Sequence, residues 1–169
     1  DPGAREGLRV LDPMCGVGTY LMALQWLMSR RGVLRPDLLG VELEREAVEH
    51  LRGNAARADC PVDVIRGSSI ALPIRDDSID LIMVDPPWGM RHSSHNYVKR
   101  YFPRWVREWA RVLRPGGAAV VVTICKKVFE AQALLPLQGV LEIEEAVQFD
   151  NKGFTVCRMY VVRKARHES

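Results

Sequence analysis

Asp85-Pro86-Pro87-Trp88-Gly89 follows the apolar run Ile79-Asp80-Leu81-Ile82-Met83-Val84 without a break. Two prolines fix φ near −65° and have no N–H to donate, so this is a rigid turn rather than a continuing strand. It presents a carboxylate, a proline carbonyl at fixed geometry, and a large flat ring. Acceptors beside a flat face suit a planar group that carries an amine, and the prolines bring no donor of their own to compete for it. An amine conjugated with a ring is a poor nucleophile. Chemistry on it requires alignment and acceptors for the positive charge that develops. The indole adds a broad flat face on which a planar group can stack. Asp85, Pro86, Pro87 and Trp88 are therefore the candidate catalytic residues.

A second group lies near the N-terminus. Asp12-Pro13-Met14-Cys15-Gly16-Val17-Gly18-Thr19 puts a Gly-x-Gly turn directly after the short apolar run 8–12. Open α/β sheets bind nucleotides at that place, outside the carboxyl ends of their strands. The dinucleotide fingerprint needs a third small residue for close helix packing, and Leu21 stands there instead. Asp12 ends the strand, where its carboxylate would repel a pyrophosphate. A cationic nucleoside reverses that sign: S-adenosylmethionine has an ammonium, a sulfonium and no phosphate. Glu42 ends the next strand, where a carboxylate can accept hydrogen bonds from both ribose hydroxyls.

These groups need a frame that brings strand ends together. Apolar β-rich runs at 8–12, 38–43, 62–66, 79–85 and 118–124 alternate with helical patterns. A helix follows the Gly-x-Gly turn to about residue 29, and a charged one runs over 45–58. Pro103, read as a first helical position, starts a third helix that ends at 113. Trp105, Val106, Trp109, Val112 and Leu113 form its apolar stripe, so both tryptophans read as core, with Arg104, Arg107, Arg111 and Arg114 facing away. Pro115-Gly116-Gly117 breaks the chain before the fifth strand, and 139–149 with 153–162 read as a hairpin around Asp150-Asn151-Lys152-Gly153. The expected fold is α/β: a mainly parallel, seven-stranded, Rossmann-like sheet with a C-terminal antiparallel hairpin and helices on both faces.

The 169 residues, 47% hydrophobic and 27% charged, suit one domain over 1–169, and the absence of an initial Met reads as excision from a longer chain. No run approaches the ~20 apolar residues of a membrane span, and no signal-peptide pattern opens the chain. Four scattered cysteines make neither a zinc pair nor a disulfide framework, which reads as an intracellular protein of cytoplasm or nucleus, with no metal site. Of a net charge of +3, the stretch from Trp88 to Gly116 carries seven Lys or Arg against Glu108 alone. That imbalance is compatible with a polyanion. Arg91, His92, His95, Lys99 and Arg100 follow the base turn directly and are the candidates for phosphate contacts.

DPMCGVGT, Gly40-Val41-Glu42, LPIRDDSIDLIMVDPPWG from Leu72 to Gly89, and RVLRPGG from Arg111 to Gly117 together resemble the RNA methylases typified by THUMP-domain guanine-N2 tRNA methyltransferases. The resemblance covers most of residues 8–124 and implies the class I methyltransferase fold. It implies that Asp12, Gly16 and Gly18 hold the methionine part of S-adenosylmethionine, Glu42 the ribose, and Asp85 to Trp88 the target base. Relatives commonly have Gly-Asp after the third strand, the Asp bonding adenine; here Gly67 is followed by Ser68 and Ser69. The candidate cofactor set is thus Asp12, Pro13, Met14, Cys15, Gly16, Gly18, Thr19, Glu42, Leu43, Ser68, Ser69 and Asp85, and S-adenosylhomocysteine is the implied product. The resemblance further implies tRNA or another small structured RNA as substrate, an N-terminal RNA-binding domain outside this chain, and a small zinc-containing activator protein as partner. Adenine-N6 or protein glutamine-N5 methylation uses similar acid-Pro-Pro-aromatic turns and stays open. A reading of another class also stays open: an inactive, cofactor-binding subunit that presents RNA.

Overall fold

The parallel half of the sheet explains why so many short runs are apolar on consecutive residues: they are covered on both faces. In the computed structural model, which describes residues 7–32, 35–88, 95–151, 153 and 155–166, five parallel strands are β1 (Arg9–Asp12), β2 (Asp37–Glu42), β3 (Asp63–Arg66), β4 (Ile79–Val84) and β5 (Leu113–Thr123). Antiparallel strands β6 (Leu141–Asp150) and β7 (Val156–Lys164) complete the order β3-β2-β1-β4-β5-β7-β6. Successive side chains point to opposite faces. Val10 and Leu38 therefore pack with Leu21 of α1 (Thr19–Arg30) and with Leu51 and Ala55 of α2 (Arg45–Arg57). Leu11, Val41, Ile82 and Val84 join the other core, beneath α3 (His95–Val112) and the helical stretch after β5. That stretch begins as α4 (Lys126–Val128), widens into a π-helical turn over Phe129–Leu134 and ends as a 3-10 turn over Leu135–Leu137. The expected seven-stranded sheet, its hairpin and its two helical layers are all present.

Four expectations about local structure need correction. The third helix starts at His95, eight residues before Pro103, which sits inside it. An interior proline costs about 3 kcal/mol through its missing N–H and its clash with the preceding turn. Val98 and Phe102 outweigh that. Both are fully buried on the same stripe as Trp105, Val106 and Trp109, and each such burial contributes about 1.5–3 kcal/mol. Phe102 also meets the rings of Trp105, Trp109 and Phe129 at centroid distances of 5.6, 6.2 and 5.4 Å. Both tryptophans are core, as the stripe implied.

Pro115-Gly116-Gly117 lies within β5 and does not precede it. Ile79 pairs with Leu113 and Leu81 with Ala118, so Arg114 to Gly117 bulge out of the ladder. A side chain on Gly117 would lie 2.9 Å from the Arg114 carbonyl oxygen and 3.1 Å from those of Ile79 and Asp80, which only glycine avoids. The bulge is tied down by the Lys164 ammonium, which donates to the Leu113 carbonyl and to Asp77, both at 2.7 Å, and by an ion pair between Arg114 and Asp80. The hairpin strands also start later than expected. Asn151 N–H closes on the Thr155 carbonyl at 3.0 Å, with Gly153 at φ 77° in the turn.

Arg111 does not face away. Its guanidinium donates to the carbonyls of Leu72 and Ile74 and to Asp76 and Glu108, at 2.6–2.9 Å. Glu108 in turn accepts the Leu72 N–H at 2.7 Å. The crossover from β3 to β4, which contains no helix, is thereby pinned to α3. At the opposite edge β6 is exposed from Glu142 to Asp150.

If α3 is the anchor of this core, Trp109→Ala should cost about 3–5 kcal/mol, whereas Arg107→Ala, on the exposed side, should stay within about 0.5 kcal/mol. Urea midpoints measure both, and equal midpoints for the two variants would remove α3 from that role.

Candidate active site

Register decides which side chains meet. Asp12 is opposite Gly40 in β2 and Leu11 is opposite Ile82 in β4, so Glu42 and Asp85 both lie two positions beyond Asp12 at the same end of the sheet. β1 and β4 flank the point where strand order reverses, the crevice in which open α/β sheets bind ligands. Three carboxylates converge there. Among the described residues none of the three has an ion-pair partner.

Asp12 is only 2% exposed, and its Oδ1 accepts the Met14 N–H at 3.0 Å. Burial pushes its carboxyl up to about 7; the Met14 bond opposes that rise, and Glu42 and Asp85 add to it. The loop beyond Asp12 is braced from several sides. Ser69 donates its hydroxyl to the Pro13 carbonyl at 2.6 Å, and Cys15 N–H donates to the Val41 carbonyl at 3.1 Å. Gly18 N–H closes a turn on the Cys15 carbonyl at 2.8 Å, at φ 86°, and a Cβ there would lie 2.9 Å from Leu51 Cγ. Thr19 then opens α1. Burial pushes the Cys15 thiol up to about 12, so it is a packing residue and not a nucleophile.

Glu42 differs from a carboxylate with both oxygens open. Oε1 accepts the N–H groups of Leu43 and Glu44 at 2.7 and 2.9 Å, and Oε2 accepts that of Gly16 at 2.9 Å. About one lone pair, on Oε2, is left for a ligand. Leu43 beside it is exposed, the Ser68 hydroxyl receives the Ile70 N–H at 3.5 Å, and Ser69 has spent its proton on Pro13.

The base turn is more occupied than its prolines suggested. Pro86 is buried and Pro87 half-buried. Asp85 Oδ1 accepts the Trp88 Nε1–H at 2.7 Å, and Oδ2 accepts the Tyr20 hydroxyl at 3.2 Å. Two side-chain donors therefore compete for the acceptor that no proline N–H contests. Burial raises the Asp85 carboxyl, while both bonds favour its ionised form. The Cys125 thiol donates to the Trp88 carbonyl at 3.7 Å, which ties the end of the turn to the segment after β5. Tyr20 was missed from sequence. Its only signal is its place in the first turn of α1, which begins at the carboxyl end of β1 and so abuts the end of β4.

Comparison with known proteins fits this geometry. The model of a family described as UPF0020, RMKL-like, methyltransferase domain matches residues 2–150. The chain belongs to that family. A mouse (Mus musculus) protein named tRNA (guanine(6)-N(2))-methyltransferase THUMP3 is 31% identical over 129 residues, 71% of this chain and 26% of that protein. A bovine (Bos taurus) U6 snRNA (guanine-N(2))-methyltransferase THUMPD2 is 31% identical over 118 residues, 70% of this chain and 22% of that protein. The chain thus spans about a quarter of the length of these curated relatives. The crystal structure of TrmN from Thermus thermophilus superposes with a TM-score of 0.75 at 22% identity, over 95% of this chain and 45% of that one. That likeness gives the fold: the Rossmann-like sheet of the class I methyltransferases.

The remaining candidates of this UPF0020 domain sit on or before α3. Arg91 and His92 lie outside the described residues, as does Gly89. His95, Lys99 and Arg100 are exposed on the first two turns of α3. Among the described residues no cluster of His, Cys, Asp and Glu could hold a metal ion, and no helix is long and apolar enough to cross a membrane.

Asp12 has a consequence for stability. Between its ordinary value of 3.8 and about 7, the folded protein keeps a proton that the unfolded chain has lost, so stability falls as pH rises through that window. Asp85, also raised by burial, contributes with the same sign. Glu108, held low by Arg111, acts below its ordinary value of 4.5 and in the opposite direction. The urea midpoint of the ligand-free protein should therefore decline from pH 5 to 8. Asp12→Asn, which keeps an acceptor for Met14 but carries no charge, should flatten the decline and raise the midpoint at pH 8. An equal decline in wild type and variant would refute the role given to Asp12.

Proposed function

We propose that this domain transfers the methyl group of S-adenosylmethionine to the exocyclic N2 amine of a guanosine in tRNA or another small structured RNA. The observation that carries the reading is the convergence of Asp12, Glu42 and Asp85, uncompensated by any described cation, beside a rigid acid-Pro-Pro-aromatic turn. Such a site is built for a cation and an amine. The names of the relatives supply the RNA and the guanine.

S-adenosylmethionine, when bound, supplies an electrophilic methyl group on a sulfonium. Asp12, once ionised, holds the ammonium of the methionine part, and the loop 13–16 with Gly18 and Thr19 shapes the floor beneath it. Glu42 takes a ribose hydroxyl on the free lone pair of Oε2, while Leu43, Ser68 and Ser69 border the adenine. Asp85 accepts the N–H of the target amine, either in place of one of its present donors or on the lone pairs they leave, and receives the proton as the new C–N bond forms. Its raised carboxyl makes it the better proton acceptor. The Pro86 carbonyl takes the second amine hydrogen, Pro87 keeps the turn rigid, and the Trp88 ring stacks on the base. Tyr20 holds Asp85 ionised and aimed from the cofactor side. Arg91, His92, His95, Lys99 and Arg100 contact phosphates, and segments of the whole protein beyond this domain grip the rest of the RNA, with or without an activator protein.

S-adenosylmethionine and S-adenosylhomocysteine should both raise the melting temperature, and NAD should not. Because Asp12 must lose its proton to receive a cation, S-adenosylmethionine affinity should rise with pH through about 7, and Asp12→Asn should abolish that dependence. Stabilisation by NAD alone would refute the cofactor.

Labelled methyl transfer to total small RNA, followed by nucleoside analysis, tests the reaction. Label should appear in N2-methylguanosine, and Asp85→Ala should lower it at least ~100-fold with cofactor affinity little changed. Tyr20→Phe should lower the rate up to about tenfold and move its acid limb to higher pH, since one bond to the ionised carboxylate is lost. Label in N6-methyladenosine or in protein would reassign the substrate, and no label in any acceptor would leave a cofactor-binding scaffold.

A further inference from the structure

Of the seven basic residues between Trp88 and Gly116, the six that lie among the described residues are sorted by the fold into two kinds. Arg111 and Arg114 are committed to Asp76, Glu108 and Asp80. Lys99, Arg100, Arg104 and Arg107 are exposed and form no ion pair among the described residues. Tyr97, Arg100, Tyr101 and Arg104 fall at i, i+3, i+4 and i+7, which makes one continuous flank of α3. The tyrosine rings lie 4.5 Å apart at their centroids, tilted by 43°, with Trp105 behind them at 6.1 and 6.5 Å. The Arg100 and Arg104 guanidinium groups sit 5.6 and 5.5 Å from the Tyr101 ring centre. Tyr97 is 40% exposed and Tyr101 is half-buried. A flank that serves only as a solvated helix surface has no need of two rings wedged on a buried indole.

We infer that this flank is a docking surface for unpaired RNA next to the target nucleotide, with bases stacked on Tyr97 and the guanidinium planes and with phosphates on Lys99, Arg100 and Arg104. The inference rests on the RNA reading above and adds a place and a mode of contact to it. Uncompensated positive charge names a polyanion as the partner. Aromatic rings interleaved with arginines name single strands, because a paired base has no free face to stack. The position agrees. α3 begins ten residues after Asp85, at the end of the sheet where β4 stops, and a nucleotide turned out of its stack leaves unpaired neighbours beside it.

The test is equilibrium binding of a fluorescein-labelled ten-nucleotide single-stranded RNA, and of a duplex of the same length, to the 169-residue chain across a salt series. Single strands should bind more tightly than the duplex. Tyr97→Ala should weaken single-strand binding roughly tenfold, and Tyr97→Phe should retain it. Arg100→Gln with Arg104→Gln should reduce the slope of log affinity against log salt by roughly 1.4, two phosphates' share for a single strand. Melting temperature and S-adenosylhomocysteine affinity, read on each variant, report that it is folded. No single-strand binding by the wild type, equal binding by folded Tyr97→Ala, an unchanged salt slope in the double variant, or tighter duplex binding would each overturn the inference. None of these readouts needs turnover, so failure of methyl transfer to RNA is a separate result that strikes the proposed function instead.

Discussion

Asp12, Glu42 and Asp85 are held at one end of a parallel sheet by strand register, and the charges of Glu42 and Asp85 add to the cost that burial already sets on ionising Asp12. The chain brings no described cation to relieve them. It relieves Asp12 by burial and a retained proton, Glu42 by three backbone N–H groups, and Asp85 by an indole and a phenol. Those three solutions account for most of the surrounding architecture. The Gly-x-Gly loop must fold back to let Gly16 reach Glu42. α1 must begin where it does for Tyr20 to reach Asp85. The Pro-Pro turn must return the Trp88 ring onto the residue that opens it. A neutral nucleotide-binding sheet would need none of this.

The second core serves the same end from below. α3 places Trp105 and Trp109 beneath the sheet and Glu108 beside Arg111, so one helix both buries the apolar face of β4 and β5 and fixes the helix-free crossover between β3 and β4. That crossover carries Ser69, whose hydroxyl props the Pro13 carbonyl. The bulge of β5, closed by Lys164 and by the pairing of Arg114 with Asp80, anchors β5 against the start of β4. Packing far from the crevice therefore sets the position of residues within it.

Strand ends were readable because an acid at the end of a short apolar run is unusual, and Asp12, Glu42 and Asp85 declared themselves in that way. The alternation of strands and helices gave the sheet, and DPPW gave a rigid acceptor. What sequence could not give was decided in three dimensions. Pro103 looked like a helix start because local chemistry favours one there; burial of Val98 and Phe102 carried the helix past it. Pro115-Gly116-Gly117 looked like a terminator because nothing local reports the partner strand that turns it into a bulge. Tyr20 was invisible because its partner is 65 residues away, and the tether of Trp88 because a ring's donor edge and its face have the same letter. The arginines between 100 and 114 read alike until Asp76, Glu108 and Asp80 claimed two of them.

The exposed edge of β6 has a different kind of consequence. A ten-residue strand with one side unpaired among the described residues is a template onto which another chain can add, and Ile143, Val147 and Phe149 are all substantially exposed on it. Glu142, Glu144, Glu145 and Asp150 interrupt that run, and an approaching copy of the same edge would set like charges against one another. Arg163 holds Glu144 in a bidentate pair at 2.7 and 2.8 Å, so part of this guard is fixed in place. The acids of β6 are thus placed as gatekeepers against edge-to-edge association, and a variant that neutralised them would lose that guard, whatever happened in the crevice.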